Sequence, residues 1–114
     1  MATKGIEALF LETHNWGKTA KFFQELGYEV EFTTDHGSGQ LRNGTGAYIF
    51  LVEVPPSQEP QSQIVLGVAD ADAFRPGPVV EVVTPFQDTH YGTREMVVRD
   101  PDGRTWNLQA PGRN

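Results

Sequence analysis

A shift of 57 residues lays Leu41-Arg42-Asn43-Gly44-Thr45-Gly46 on Val98-Arg99-Asp100-Pro101-Asp102-Gly103. The same shift sets Ile49-Phe50-Leu51 on Trp106-Asn107-Leu108. In both copies an apolar run enters a glycine-containing turn and a second apolar run leaves it. Pro101 fixes φ where a turn needs it, and Gly103 can take φ > 0, so the second copy is a strong hairpin signal. A strand–turn–strand unit repeated at fixed spacing predicts two copies of one half-sheet, related by a pseudo-twofold, with a cleft between curved sheets.

The remaining elements fill in around that repeat. Ile6 to Glu12 is short and apolar and reads as a strand. Asn15 is a candidate N-cap, followed by Trp16, Ala20, Phe23 and Leu26 at near-helical spacing, with Gly27 as the residue after the helix. Tyr28 to Thr34 alternates, with Tyr28, Val30 and Phe32 predicted on one face. Gln40 to Arg42 and Ala47 to Val54 read as strands. Pro55 to Pro60, rich in Pro, Ser and Gln, is the linker-like segment. Gln63 to Val68 is a strand, and Asp70 to Phe74 allows at most one helical turn before Pro76 and Pro78. Val79 to Thr84 is a strand, Pro85 to Gly92 a loop, and Thr93 to Arg99 with Thr105 to Ala110 the final hairpin. The fold class is therefore α+β: two βαβββ modules, the second helix much shortened, forming a curved mixed sheet with a cleft. The modules are expected at about residues 5–54 and 62–110, joined by a linker at about 55–61, within a single domain.

Composition narrows the function. The chain has 114 residues, no cysteine and a formal net charge of −6. Disulfides and thiolate metal sites are excluded, and a reducing, cytoplasmic setting is expected. The acidic balance argues against nucleic acid or an anionic membrane as partner and suits a cationic small ligand. Neither an apolar leader at the N-terminus nor a run long enough to span a membrane is evident.

The segment Asn15-Trp16 through Phe22-Phe23-Gln24-Glu25-Leu26-Gly27-Tyr28, the turn Arg99-Asp100-Pro101-Asp102-Gly103 and the β-α-β-β-β order together resemble the vicinal oxygen chelate superfamily. That superfamily includes glyoxalase I, the bleomycin-resistance proteins and the extradiol dioxygenases. The shortened second helix departs from its pattern. The resemblance implies four metal-ligand positions, usually His or Glu, which carry over to Ala8, Phe50, Gln63 and Asn107. None of these is a strong divalent-metal ligand. Glu7 is one residue from the first position, but side chains alternate along a strand, so it is expected on the other face. No cofactor is expected on this reading; a divalent metal is the alternative.

The chemistry-bearing residues have functional and plainer readings. His14, His36 and His90 lie in predicted loops, where a surface histidine is the simpler reading; His36, in a loop that can rim the cleft, is the best candidate, and His90 is next. Phe10 and Phe50 share parity with the ligand positions and either line the cleft for a guest or fill it. Trp16 and Phe23 are expected to pack the helix on the sheet's outer face, with Trp106 under them. Gln63 and Asn107 are mid-strand amides that either orient a ligand or bond each other or water. Arg42 and Arg94 can bind an anion, a solvated strand edge being the simpler reading of Arg94. Glu12, Glu53 and Glu95 can face a cation, with surface placement the simpler reading.

The expected ligand-binding set is Phe10, His36, Arg42, Tyr48, Phe50, Gln63 and Asn107, with no catalytic or metal residue. The expected function is binding and sequestration of an aromatic or cationic, antibiotic-like small molecule, as in the bleomycin-resistance branch, by a homodimer. The alternatives are a glyoxalase- or dioxygenase-like metal-dependent lyase or isomerase with a divergent site using His36, His90 or Glu7, and a metal-free isomerase or cyclase.

Overall fold

A computed structural model describes residues 3–112. The chain divides into two compact units. The first is Ala8–Gln63; the second joins the chain before Ala8 to Ile64 onward. No helix among the described residues is long and apolar enough to cross a membrane.

The first unit holds strand β1 (Gly5–Thr13, its first three residues counted with the second unit), helix α1 (Trp16–Glu25), β2 (Glu29–Thr33), β3 (Ser38–Arg42) and β4 (Tyr48–Glu53). Its sheet runs β2-β3-β4-β1, with β1 and β4 parallel and the other neighbours antiparallel. The second unit holds β5 (Ser62–Gly67, its first two residues counted with the first unit), a 3-10 turn at Ala71–Ala73, β6 (Glu81–Asp88), β7 (Thr93–Arg99) and β8 (Thr105–Pro111). Its order is β5-β8-β7-β6, with β5 and β8 parallel. Each unit therefore has the same strand pattern, and β4 shifted by 57 residues falls on β8, as the repeat predicts.

Helix α1 forms where the spacing of Trp16, Ala20 and Phe23 gives one apolar stripe. Asn15 caps it, its Oδ1 accepting from the Lys18 backbone N–H at 3.0 Å. Glu53 adds a second acceptor, taking the Trp16 N–H at 2.7 Å. Gly27, at φ 103°, follows the last turn in a conformation that favours glycine. The stripe buries Ala20 against Leu41 and Leu51, both fully buried, with Leu11, Trp16, Phe23, Tyr28 and Val30 around them. Gly39 makes room for the Trp16 ring: a Cβ there would lie 2.8 Å from Trp16 Cζ2 and 2.7 Å from the Phe32 carbonyl oxygen. The indole then donates to the Leu51 carbonyl at 2.8 Å, locking helix to sheet.

The expected alternation of β2 fails at one point. Register slips between Val30 and Phe32, leaving Glu31 as an extra residue. Val30 packs under the helix, but Phe32 pairs with Gln40 and turns to the opposite face.

In the second unit Val68, Ala71, Met96, Val98, Leu108 and Ala110 form the core, with Leu66, Phe74, Phe86 and Trp106 packed against it. Trp106 thus belongs to this cluster and not under Trp16 and Phe23. The strand expected to stop at Thr84 runs on to Asp88, through the segment expected to be a loop. Pro85 is tolerated because β6 ends the sheet order, where a missing N–H breaks no ladder, and the β6–β7 register shifts around it.

Arg94 is also a correction. It is only 9% exposed, not a solvated edge residue. Its guanidinium meets Asp72 at 3.0 Å and Asp88 at 3.8 Å and lies 5.9 Å from the Phe86 ring centroid. With the second helix reduced to one 3-10 turn, this arginine ties that turn to β7. Asp72 is largely exposed, so water screens the pair. Arg94→Ala is accordingly expected to lower stability by about 1–2 kcal/mol, through lost ring contact and hydrogen bonding. An unchanged urea midpoint would contradict this role.

The turn before β8 is organised by Asp100. Its carboxylate accepts from Trp106 Nε1 at 3.0 Å, from the Asp102 and Arg104 backbone N–H groups and from Arg104 Nε. The indole bond first, then these other donors, hold its pKa down to about 2. A depressed folded-state pKa means the stabilisation is present above the unfolded value near 4 and is lost as pH falls through about 2. The wild type should therefore exceed Asp100→Asn in urea midpoint at pH 7, with the gap closing at pH 2. A gap independent of pH would sink the assignment.

Candidate functional site

Strand register assembles an open face on the first unit. The rungs Arg42–Tyr48–Ala8, Gln40–Phe50–Phe10 and Ser38–Val52–Glu12 follow from the pairings of β3, β4 and β1. Their side chains alternate with those of Leu11, Leu41 and Leu51, which face the helix, so they occupy the other side of the sheet. The bulge in β2 brings Phe32 onto the Gln40 rung. Three phenylalanines consequently sit together: Phe10 and Phe50 with centroids 5.5 Å apart, Phe32 and Phe50 6.5 Å apart. Phe32 is 48% exposed, which for a large ring leaves contact area for a guest.

Beside these rings is a cavity of about 170 Å³ lined by Phe10, Leu11, Glu12, Val52, Gln61, Ser62 and Gln63. Gln61, Ser62 and Gln63, which follow the Pro-rich segment, close one side of it. Glu12 Oε1 accepts from the Gln61 backbone N–H at 3.1 Å and from Gln58 Nε2 at 3.3 Å. The Glu12 N–H in turn donates to the Gln61 carbonyl at 2.9 Å, and His14 Nε2 lies 2.8 Å from the Gln58 carbonyl oxygen. Gln61 is absent from the expected ligand-binding set, and Glu12, for which surface placement is the simpler reading, is found in the cavity wall. The signal was available: Glu12 is two positions from Phe10 on one strand and must share its face.

At the far end of the face Arg42 is already engaged. Its Nε is 3.1 Å from Glu31 Oε2, its Nη1 donates to the Gly46 carbonyl at 2.9 Å, and its Cζ stands 5.3 Å from the Tyr48 ring centroid. Gln40 also donates to Glu31, at 2.9 Å. These donors, Gln40 foremost, hold the Glu31 carboxyl below its ordinary pKa.

The second unit carries a separate polar group. Glu95 Oε1 accepts from Asn107 Nδ2 at 3.3 Å, and Glu95 Oε2 accepts from the Tyr91 hydroxyl. Asn107 is only 6% exposed, and its Oδ1 is buried without a hydrogen-bond partner among the described residues. The Glu95 carboxylate demands the amide's donor side, so Oδ1 is turned away from it; such an orphan costs about 1–3 kcal/mol.

Of the expected ligand-binding residues, Phe10, Tyr48 and Phe50 share the first unit's open face, Arg42 lies at its end, and Gln63 lines the cavity. His36 is exposed in the β2–β3 turn, its backbone N–H bonded to Thr34 Oγ1, and is not part of the cavity wall. His90 stacks edge-on against Tyr91 at 5.0 Å.

No protein-family model and no curated protein matches the chain. Solved structures do. Methylmalonyl-CoA epimerase from Mycobacterium tuberculosis superposes with TM-score 0.66 at 16% identity, covering 98% of this chain and 91% of that one. A glyoxalase/bleomycin resistance protein/dioxygenase superfamily member from Vibrio splendidus 12B01 gives TM-score 0.66 at 17% identity, over 92% and 98%. BphC, a halotolerant catechol dioxygenase, gives 0.62 at 16% identity, over 97% of this chain and 40% of its own. The chain has the vicinal oxygen chelate fold. At these identities the likeness establishes architecture and not activity.

The metal implied by that fold can be tested against the donors present. Of its four positions, Ala8 and Phe50 carry no donor, and Gln63 and Asn107 offer amides only. Among the described residues no group of three or more His, Asp or Glu is placed to hold a metal ion. This donor set does not fit a divalent metal, which needs several carboxylate or imidazole ligands.

Proposed function

We propose that this vicinal-oxygen-chelate-fold protein binds an aromatic or cationic small molecule and acts by sequestration, in the manner of the bleomycin-resistance branch. The observation that carries the reading is the cluster of Phe10, Phe32 and Phe50 on an open sheet face beside a cavity. Apolar rings with a few convergent polar groups suit a flat guest, and rings also attract cations. The net charge of −6 favours the approach of a basic molecule. A homodimer in a reducing cytoplasm belongs to the same reading.

Thermal-shift and calorimetric titration with planar aromatic amines and basic glycopeptides tests it. Binding without chemical change of the guest is expected. Absence of binding across such a panel counts against it. A stoichiometric divalent ion in protein purified without chelator, with an activity lost on chelation, would replace it with a metal-dependent lyase or isomerase. Sedimentation at micromolar concentration tests the dimer.

A further inference from the structure

We propose that the cavity beside Phe10 is an ammonium-binding subsite, with Glu12 as the counter-ion and Phe10 and Val52 as the wall. This rests on the small-molecule reading above and names the chemical class of the group that enters. Three observations support it. First, the cavity holds about 170 Å³, below the roughly 300–1,000 Å³ of pockets that enclose a whole drug-sized ligand, so it takes a head group. Second, Glu12 is a half-buried carboxylate whose recorded donors, Gln61 N–H and Gln58 Nε2, both fall on Oε1 and are both neutral. Among the described residues no Lys, Arg or His forms an ion pair with it, whereas the face's own arginine, Arg42, is paired with Glu31.

Third, Phe10 stands two residues before Glu12 on the same strand face and joins Phe50, so an aromatic surface meets the carboxylate. An ammonium placed there donates to the carboxylate while its organic tail lies on the rings, gaining both a charged hydrogen bond and a ring contact. The two bonds to Oε1 hold the carboxylate in place beforehand, so little ordering is left to the moment of binding.

The test compares benzylamine with benzyl alcohol, which share shape and ring but differ in charge, by titration followed through backbone amide shifts. The wild type should bind the amine about tenfold more tightly, with the largest shifts at Phe10, Glu12, Val52 and Gln61. Glu12→Gln keeps an acceptor for Gln61 and Gln58 and should bind both probes alike. Equal wild-type binding of the two probes, or a preference that survives in E12Q, overturns the ammonium subsite and leaves aromatic binding standing. Binding of neither overturns both readings. If E12Q fails to fold, the wild-type shift map decides: amine-induced shifts centred away from Glu12 overturn the assignment.

Discussion

Leu51→Ala is expected to cost about 3 kcal/mol of stability, one of the largest effects available to a single substitution in this chain. Leu51 is fully buried and lies with Leu41 and Ala20 at the centre of the first unit's core. It occupies the middle rung of a sheet whose neighbours cannot follow it inward, because Gly39 beside it already carries the Trp16 ring at close range. The truncation therefore leaves a cavity rather than a collapse, and interiors packed as tightly as crystals feel the missing methyl groups. A domain of this size has roughly 5–15 kcal/mol in hand, and the midpoint of thermal unfolding should fall by on the order of 10 °C. Leu51→Met, which nearly conserves volume, should lose less than about 1.5 kcal/mol. Equal melting temperatures for the alanine and methionine variants would show that this cluster does not carry the fold.

Phe50→Ala is the counterpart for binding. Phe50 is the central ring of three, contacting Phe10 on one side and Phe32 on the other. It is half-buried and points away from the helix-side core, so its loss removes ring surface from the open face more than it disturbs packing. Removing one well-placed ring contact is worth about 1–2 kcal/mol, or roughly five- to thirtyfold in Kd for a planar guest. Phe32→Ala, at the edge of the trio, should lose less. If planar compounds bind Phe50→Ala as tightly as the wild type, the phenylalanine face is not the binding surface and the proposed function fails with it.

Much of this architecture is legible in the sequence, and the failures have identifiable causes. The 57-residue shift works because turn chemistry and strand parity are local: Asp100 and Gly103 specify a hairpin wherever it sits, and Leu51 and Leu108 both fall on a buried face. Asn15 and Gly27 bound the helix for the same local reason. Phe32 is misplaced because an extra residue in β2 leaves no mark on a pattern of alternating apolar and polar positions. The extent of β6 is missed because Pro85 reads as a breaker, and only its place at the end of the sheet order makes it harmless. Arg94 is misread because its partners, Asp72 and Asp88, come from two other segments, and a residue's burial depends on what folds over it. Trp106 is assigned to the wrong cluster by the same limit: parity gives a face, not a neighbour. Glu12 was within reach from parity alone, and its importance emerges from the segment at Gln58 to Gln61 that folds back to it.

The extra residue at Glu31 also makes the outer strand of the first unit editable. Excising it would leave Val30 opposite Leu41 and Phe32 opposite Gln40 in plain alternation, so the third ring keeps its row beside Phe50, while the carboxylate that binds Gln40 and Arg42 is removed. One codon in a peripheral strand thus sets whether the cation of Arg42 is balanced by a neighbouring carboxylate, a dial by which close variants of the chain can differ in charge at the end of this surface without any change at the rows that hold it together.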